Sequence, residues 1–494
     1  MMGGTLVSRV TGMLREILLV ALFPVRASDA FRLAWLIPNL FRELLAEGAL
    51  TSAFIPSYQR LPREERRAFT GAMLAVLALI NAALLAAVLL AAPWIVDLLL
   101  AHQSNVDRDL AVHLLRLTFP LLLAVSLSAL LMGVLNAEER FFAPAWAPTL
   151  LNIAAIAAML SFPGEPEWLA LGVVFGGVLQ AAMHLPALWR ARAVPRFGKL
   201  WHSAMPLVLA LMVPFAFTAG ARQLLHVVAQ RMLSDASVFP PGAVTAYALA
   251  TMLFGLLLGV FAISPAIAFY SRLSHVVSDE EGVFGSTLAA GVRFILALTI
   301  PTGAAAYTFS EPAVRTLFEL LQPAQGQDVA IGLAAQALAP LGIGLPAAGL
   351  ANYLLRPYFV RQRVLVPVLV TLAFSLLTLV LYLVLTPSMG IAGISWAKSV
   401  GLMGQSVVLI HLLHRSEGLN PGAVYRQLLR VGVVAFFAAW LARSTVGALI
   451  NEWQLTDWTA SLVLTTAGGA TMIALLLVAG YTLRFPELRL RRPR

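Results

Sequence analysis

Runs of about twenty or more apolar residues recur along the whole chain, separated by short stretches rich in arginine, proline or glycine. A helix of that length crosses roughly 30 Å of hydrocarbon. Of the 494 residues, 60% are hydrophobic and only 12% are charged, about half the charged share of an ordinary soluble domain. The chain therefore reads as an all-α polytopic membrane protein. Its first apolar segment carries Arg9 and Arg15 and no small-residue cleavage pattern, so it is read as a retained helix and not as a signal peptide. Cysteine is absent, which excludes disulfides, thiolate metal sites and thiol chemistry. The formal net charge of +10 does not imply nucleic acid, because no basic soluble domain is present to hold it. Arginine in cytoplasmic loops accounts for the charge.

Hydropathy and breakers predict about fourteen helices, near 5–24, 29–58, 68–100, 109–136, 141–162, 168–189, 203–233, 242–271, 284–308, 328–355, 364–386, 389–413, 424–446 and 458–483. Loop charge alternates with this count. Arg60–Arg67, Arg140, Arg190–Arg196, Arg272, Arg356–Arg363, Arg415 and the tail fall on one side; Arg26, Arg108, Arg315 and Arg443 fall on the other. The positive-inside rule then places both termini in the cytoplasm. Three short matches relate the two halves. Ser52, Ile55, Tyr58, Arg60 and Leu61 recur as Ser264, Ile267, Tyr270, Arg272 and Leu273. Pro120-Leu121 with Arg140 and Pro144 recurs as Pro340-Leu341 with Arg363 and Pro367, and Gly176-x-x-x-Gln180 with Arg190 as Gly401-x-x-x-Gln405 with Arg415. The expected organisation is a six-helix lobe over 1–200, a second over 201–415, and a terminal helix pair with a basic tail over 416–494. Paired repeats around a central site are a transporter architecture.

The first two helices nevertheless contain Arg9, Arg15, Glu16, Arg32, Arg42, Glu43 and Glu47. A mid-bilayer charge costs roughly 3 kcal/mol even on the lenient scale, so these groups must face protein or a water-filled cavity. A cationic cavity implies an anionic ligand, and guanidinium presents a planar fork that matches phosphate. The bland alternative is that the arginines pair with the glutamates and only hold helices together. Arg9 and Glu16 share a face about 10 Å apart along the axis; Arg15 points toward the side of Ser8 and Thr11. Pro38-Asn39 precedes Arg42 where a proline can kink the helix. The seventh helix adds Arg222 as a cavity candidate, Gln223, His226 as a possible proton-linked group, and an interfacial Arg231. Lys398 is either a fixed cation of the second lobe or a residue that snorkels. His113, His184 and His411 are expected at helix ends on the surface. Gly172-x-x-x-Gly176 and Gly255-x-x-x-Gly259 are assigned to packing. No nucleophile–base pair, metal cluster, P-loop or dinucleotide turn is present, so neither an enzyme nor a resident cofactor is expected.

The first helices resemble the MurJ (MviN) family of lipid II flippases, in the superfamily of multidrug and polysaccharide exporters. The resemblance rests on Ser8-Arg9-Val10-x-Gly12-x-x-Arg15, Asp29-Ala30-Phe31, Pro38-Asn39-Leu40-Phe41-Arg42, and Ala46-Glu47-Gly48-Ala49 running to Ala53-Phe54-x-Pro56. It continues in Leu135-Asn136, Arg140-Phe141, Pro144 to Asn152, and Gly176 to Gln180. It is strong over about the first 190 residues and diffuse beyond. It implies two six-helix lobes around a cationic cavity and a terminal pair bordering a groove for a lipid tail. The implied substrate is lipid II, the undecaprenyl-pyrophosphate-linked peptidoglycan precursor, moved from the inner to the outer leaflet of the bacterial cytoplasmic membrane by alternating access. The family's cavity arginines map onto Arg9, Arg15 and Arg42, with Ser8, Asn39 and Arg222 as further substrate-binding candidates and Glu16, Asp29, Glu43 and Glu47 as charge partners. A monomer is expected, surrounded by membrane lipids, near peptidoglycan polymerases and without nucleic acid. The chain departs from the family where a Tyr-Ala-Asp-Arg element becomes Tyr247-Ala248-Leu249-Ala250, and where the eleventh helix has neither Asp nor Asn. No sodium site is therefore expected there, which leaves the membrane potential to act on the charges. A flippase for another polyprenyl-phosphate-linked glycan and a multidrug antiporter are the alternatives.

Overall fold

The structure, a computed structural model, describes residues 2–45, 49–276, 283–361, 363, 365–455 and 457–482. It divides into two compact units, one of residues 1–245 with 321–327 and one of 246–320 with 328–494. The first unit contains α1 (Met2–Leu22), α2 (Val25–Leu45), α3 (Ala49–Arg60), α4 (Arg63–Leu99), α5 (Arg108–Thr118), α6 (Leu121–Ala137), α7 (Phe142–Ser161), α8 (Pro166–Ala182), α9 (His184–Arg190) and α10 (Met205–Leu233). It also holds the start of α11 (Ala243–Leu258), whose remainder opens the second unit. There follow α12 (Ser264–His275), α13 (Val283–Thr308), α14 (Ser310–Phe318), α15 (Gln327–Leu354), α16 (Arg356–Val360), α17 (Leu365–Glu417), α18 (Pro421–Glu452) and α19 (Asp457–Thr482).

Ten stretches of the described residues are long and apolar enough to cross a membrane. One of them, α17, is broken at Gly390, where φ is +56° and only glycine is unstrained, so it comprises two helices. Helices α1, α2, α3 and α10 are not among the ten, and the expected fourteen helices are consistent with this all-helical architecture. Side chains such as Leu90 (82% exposed) and Trp94 (77%) face outward from α4, as the lipid-facing side of a membrane helix does.

In the first unit, Phe54 of α3 stacks on Phe69 of α4 with centroids 5.3 Å apart, and Tyr58 packs beside them in a core shared with Leu130 and Val134 of α6. Helices α7 and α8 meet along small residues. A methyl on Gly172 would lie 2.4 Å from the Ala158 Cβ, and one on Gly176 would lie 2.7 Å from the Leu151 Cα. That pair does serve close contact. Gly255 does not, because nothing among the described residues lies within 4 Å of where its Cβ would be. The segment 321–327 is tied to the α1–α2 turn, where Gln327 Nε2 donates to the Phe23 carbonyl at 2.9 Å and to Ser28 Oγ at 2.8 Å.

In the second unit, α11 passes into α12 through a π-helical turn over Gly259–Ile263. Pro265 has no N–H and its ring clashes with the carbonyl four residues back, which favours the wider turn. Ser264 Oγ donates to the Gly259 carbonyl at 2.8 Å and satisfies it. Helices α13 and α18 run side by side in the same direction: Gln427 Nε2 donates to the Arg293 carbonyl at 2.8 Å, and sixteen residues later Arg443 donates to the Thr308 carbonyl. Helix α19 returns antiparallel, with Trp458 Nε1 donating to the Thr316 carbonyl at 3.0 Å and Gly468 against the Phe309 ring.

Candidate functional site

Glu16 is the centre of the charged cluster on α1 and α2. Its carboxylate accepts from Arg15 at 2.7 Å and from Arg32 at 2.6 Å, and it is 6% exposed. Two guanidiniums on one carboxylate leave one positive charge in excess. Arg15 is the more accessible of the two, with its side chain 24% exposed against 11% for Arg32. A second guanidinium nitrogen of Arg15 donates to Asn152 Oδ1 at 3.2 Å, and its cation lies 5.9 Å from the Trp35 ring centre.

Asn152 orients this group from α7. Its Nδ2 donates to the Ser8 carbonyl at 3.1 Å and to Thr11 Oγ1 at 3.3 Å. Gly12 lies beside it, and a Cβ there would make only an ordinary contact with that nitrogen, at 3.5 Å. The Ser8 contribution is thus a backbone acceptor, while its side chain is half-buried. Arg9 is exposed and makes no ion pair or hydrogen bond among the described residues.

Arg42 closes its fork on an amide one turn earlier on α2, with Nε and one terminal nitrogen 3.1 and 2.7 Å from Asn39 Oδ1. Pro38 is accommodated inside that helix. The side chains of Glu43 and Arg222, and all of Glu47, lie outside the described residues. The structure therefore brings Arg15, Glu16, Arg32 and Asn152 together and holds Arg42 with Asn39. Arg32 and Asn152 had no assigned role in the sequence reading; the excess of arginine over glutamate in α1 was the available signal.

Asp29, one turn before Arg32 on α2, makes its hydrogen bonds elsewhere. Its two oxygens accept from the backbone N–H groups of Gly242, just before α11, at 2.6 Å and of Thr245, in its first turn, at 2.8 Å, and it is fully buried. A carboxylate from another helix thus caps α11, satisfying amides that a helix start leaves unpaired. Asp29→Ala is expected to lower stability by about 1–2 kcal/mol, the loss typical of a helix cap. A thermal unfolding midpoint in detergent equal to that of the unsubstituted protein would show that the cap contributes nothing.

His184 also departs from expectation. It is 1% exposed, with Nε2 3.0 Å from Ser128 Oγ, which in turn accepts from Gln180 Nε2 at 3.2 Å. The chain bends between α8 and α9 at this point and folds the imidazole inward. His113 and His411 are exposed. His226 is half-buried on α10. Arg231 donates to the Leu98 carbonyl at 2.5 Å and caps the end of α4. Most cations of the arginine-poor side are held locally in the same way. Arg108 pairs with Asp97 at 2.5 Å, Arg315 with Glu311 and Glu319 at 3.3 Å, and Arg443 caps α13. At the Leu22 end of α1, a cleft of about 620 Å³ has a mixed lining that includes Arg26, Asn105, Asp107, Val106, Val238 and Phe239.

Lys398 lies on α17, eight residues past Gly390 and about 12 Å from it along the axis. It is half-buried, and its ammonium stands 5.5 Å from the Phe254 ring centre. It makes no ion pair or hydrogen bond among the described residues. A cation–π contact contributes about 0.5–2 kcal/mol, less than the roughly 3 kcal/mol cost of a charge deep in a membrane. Leu249 and Ala250 are both 0% exposed and packed as apolar residues. Among the described residues, no group of three or more His, Cys, Asp or Glu side chains is placed to hold a metal ion.

The model of the family described as "Lipid II flippase MurJ" matches residues 20–467. A relative named lipid II flippase MurJ, from Burkholderia cenocepacia, is 32% identical over 479 residues, covering 92% of this chain and 90% of its own length. Among solved structures, "Lipid II flippase MurJ, inward closed conformation" superposes with a TM-score of 0.81 at 21% identity, over 98% of this chain and 99% of that one. An inward-facing multidrug resistance transporter of the MATE family gives 0.68 at 14% identity, over 85% and 96%. These likenesses in fold accompany the match in sequence.

Proposed function

Because this chain belongs to the lipid II flippase MurJ family, a family of membrane transporters and not of enzymes, we propose that it carries lipid II from the inner to the outer leaflet of the bacterial cytoplasmic membrane. The observation that supports this reading is the Arg15–Glu16–Arg32 cluster, which keeps an excess guanidinium charge on two membrane helices and leaves Arg15 partly accessible. In this reading Arg9, Arg15 and Arg42, with Ser8, Asn39 and Arg222, hold the pyrophosphate and sugar headgroup. Glu16 sets the orientation of Arg15; Glu43 and Glu47 are further charge partners. Alternating access is the mechanism, with lobes over 1–200 and 201–415 and the pair over 416–494 bordering the lipid tail. The protein acts as a monomer near the polymerases that consume its product.

The deciding experiment is lipid II flipping by purified protein in vesicles. Transport is expected at fixed membrane potential, with little change when sodium is replaced by choline, since one charge crossing 100 mV already supplies about 2.3 kcal/mol. No lipid II movement above empty vesicles would end the reading, and a large loss on removing sodium would end the coupling scheme. Both termini lie in the cytoplasm on this reading, so a C-terminal reporter active only outside the cell would refute it. Leu249-Ala250 in place of a charged pair favours a second reading, another polyprenyl-phosphate-linked glycan. Competition between the two lipids in the same vesicles separates them.

A further inference from the structure

Lys398 is a cation that the arginine cluster does not account for. A lysine that snorkelled would carry its ammonium away along the helix toward an interface. Here the ammonium lies over Phe254, a residue 5% exposed on α11, so it is directed at protein. The face of a ring attracts a cation without neutralising it. No carboxylate pairs with Lys398 among the described residues. One turn earlier on α17, Ser395 has a buried hydroxyl with no hydrogen-bond partner among the described residues. The neighbouring stretch of α11 supplies no counter-charge, since Leu249 and Ala250 are apolar and fully buried. A half-buried ammonium in such surroundings is a site for an anion that comes and goes, because a permanent partner would have been built in and its lasting absence is costly.

We infer that Lys398 is an anion contact of the second unit and receives phosphate oxygens of the lipid-linked diphosphate during transport. This rests on the function proposed above and adds a residue outside the arginine set. A lysine suits a contact that must release its ligand, since a point charge on a flexible stem imposes no fixed oxygen geometry, unlike the arginine fork.

The test uses the full chain in nanodiscs, with undecaprenyl diphosphate, undecaprenyl monophosphate and lipid II as probes. The unsubstituted protein is expected to prefer diphosphate over monophosphate. Lys398→Met should weaken diphosphate binding about tenfold and monophosphate binding less, so that the preference narrows. Lys398→Arg should restore most of it. The unfolding midpoint of the ligand-free Lys398→Met protein should not fall, because an unpaired cation is being removed. A merely structural lysine would lower that midpoint and leave the diphosphate preference unchanged, and that result overturns the inference while leaving the proposed function standing. Lys398→Gln repeats the measurement should the methionine variant fail to fold. If the unsubstituted protein binds lipid II no better than the monophosphate, the proposed function falls and the inference falls with it.

Discussion

Replacing Arg15 by alanine is expected to reduce lipid II transport about 10- to 100-fold while leaving the protein folded. The magnitude follows from losing charge-assisted hydrogen bonds to phosphate, each worth about 1.5–3 kcal/mol. The fold survives because Glu16 keeps Arg32 at 2.6 Å, so the cluster changes from two cations on one carboxylate to a one-to-one pair. Arg42→Ala should have a similar effect on transport, since its guanidinium is held ready by Asn39. Lysine at either position should rescue only in part, because it keeps the charge and loses the fork. The measurement is initial flipping rate in vesicles, with protein amount and unfolding midpoint checked for each variant. Full transport by both alanine variants would remove these arginines from the binding role.

Glu16→Gln is expected to do the opposite, with its first effect on stability. The side chain keeps its shape but leaves the Arg15 and Arg32 guanidiniums in a site where Glu16 is only 6% exposed. Removing one partner of a buried ion pair costs about 3–5 kcal/mol, because the remaining charge is uncompensated. The unfolding midpoint should therefore fall by a few degrees, more than for Arg15→Ala. Adding Arg32→Met to Glu16→Gln should recover much of the loss, since the double variant buries one cation fewer. A Glu16→Gln protein as stable as the unsubstituted one would mean that water already screens this cluster.

Particular residues mark where sequence reasoning reached its limit. Glu16 was expected as a charge partner, but Arg32 was only one of several charges with no assigned mate. Asn152 belonged to a motif without a role. Asp29 was grouped with the glutamates, and instead it holds the start of a helix far along the chain. His184 stands near a helix end and is nevertheless buried, because the bend between α8 and α9 turns the ring into the core. Gly255 had the spacing of a packing pair and faces open space. Spacing on one helix does not say whether a second helix lies against it.

By itself the sequence determined that this chain is a bundle of membrane helices, that its first two helices carry several charges inside apolar surroundings, and that its N-terminal pattern is that of a flippase family. These properties are local and additive. A run of apolar side chains spans a bilayer whatever its neighbours are, and a charge inside such a run is costly wherever the helix sits. Tertiary structure alone decided the partners. Arg15 meets Asn152 across 137 residues, Asp29 meets Gly242 across 213, and Lys398 meets Phe254 instead of a carboxylate. Such pairings depend on which helix faces come within about 3 Å of one another, and that follows from the packing of the whole unit, where no single stretch of sequence carries the distance.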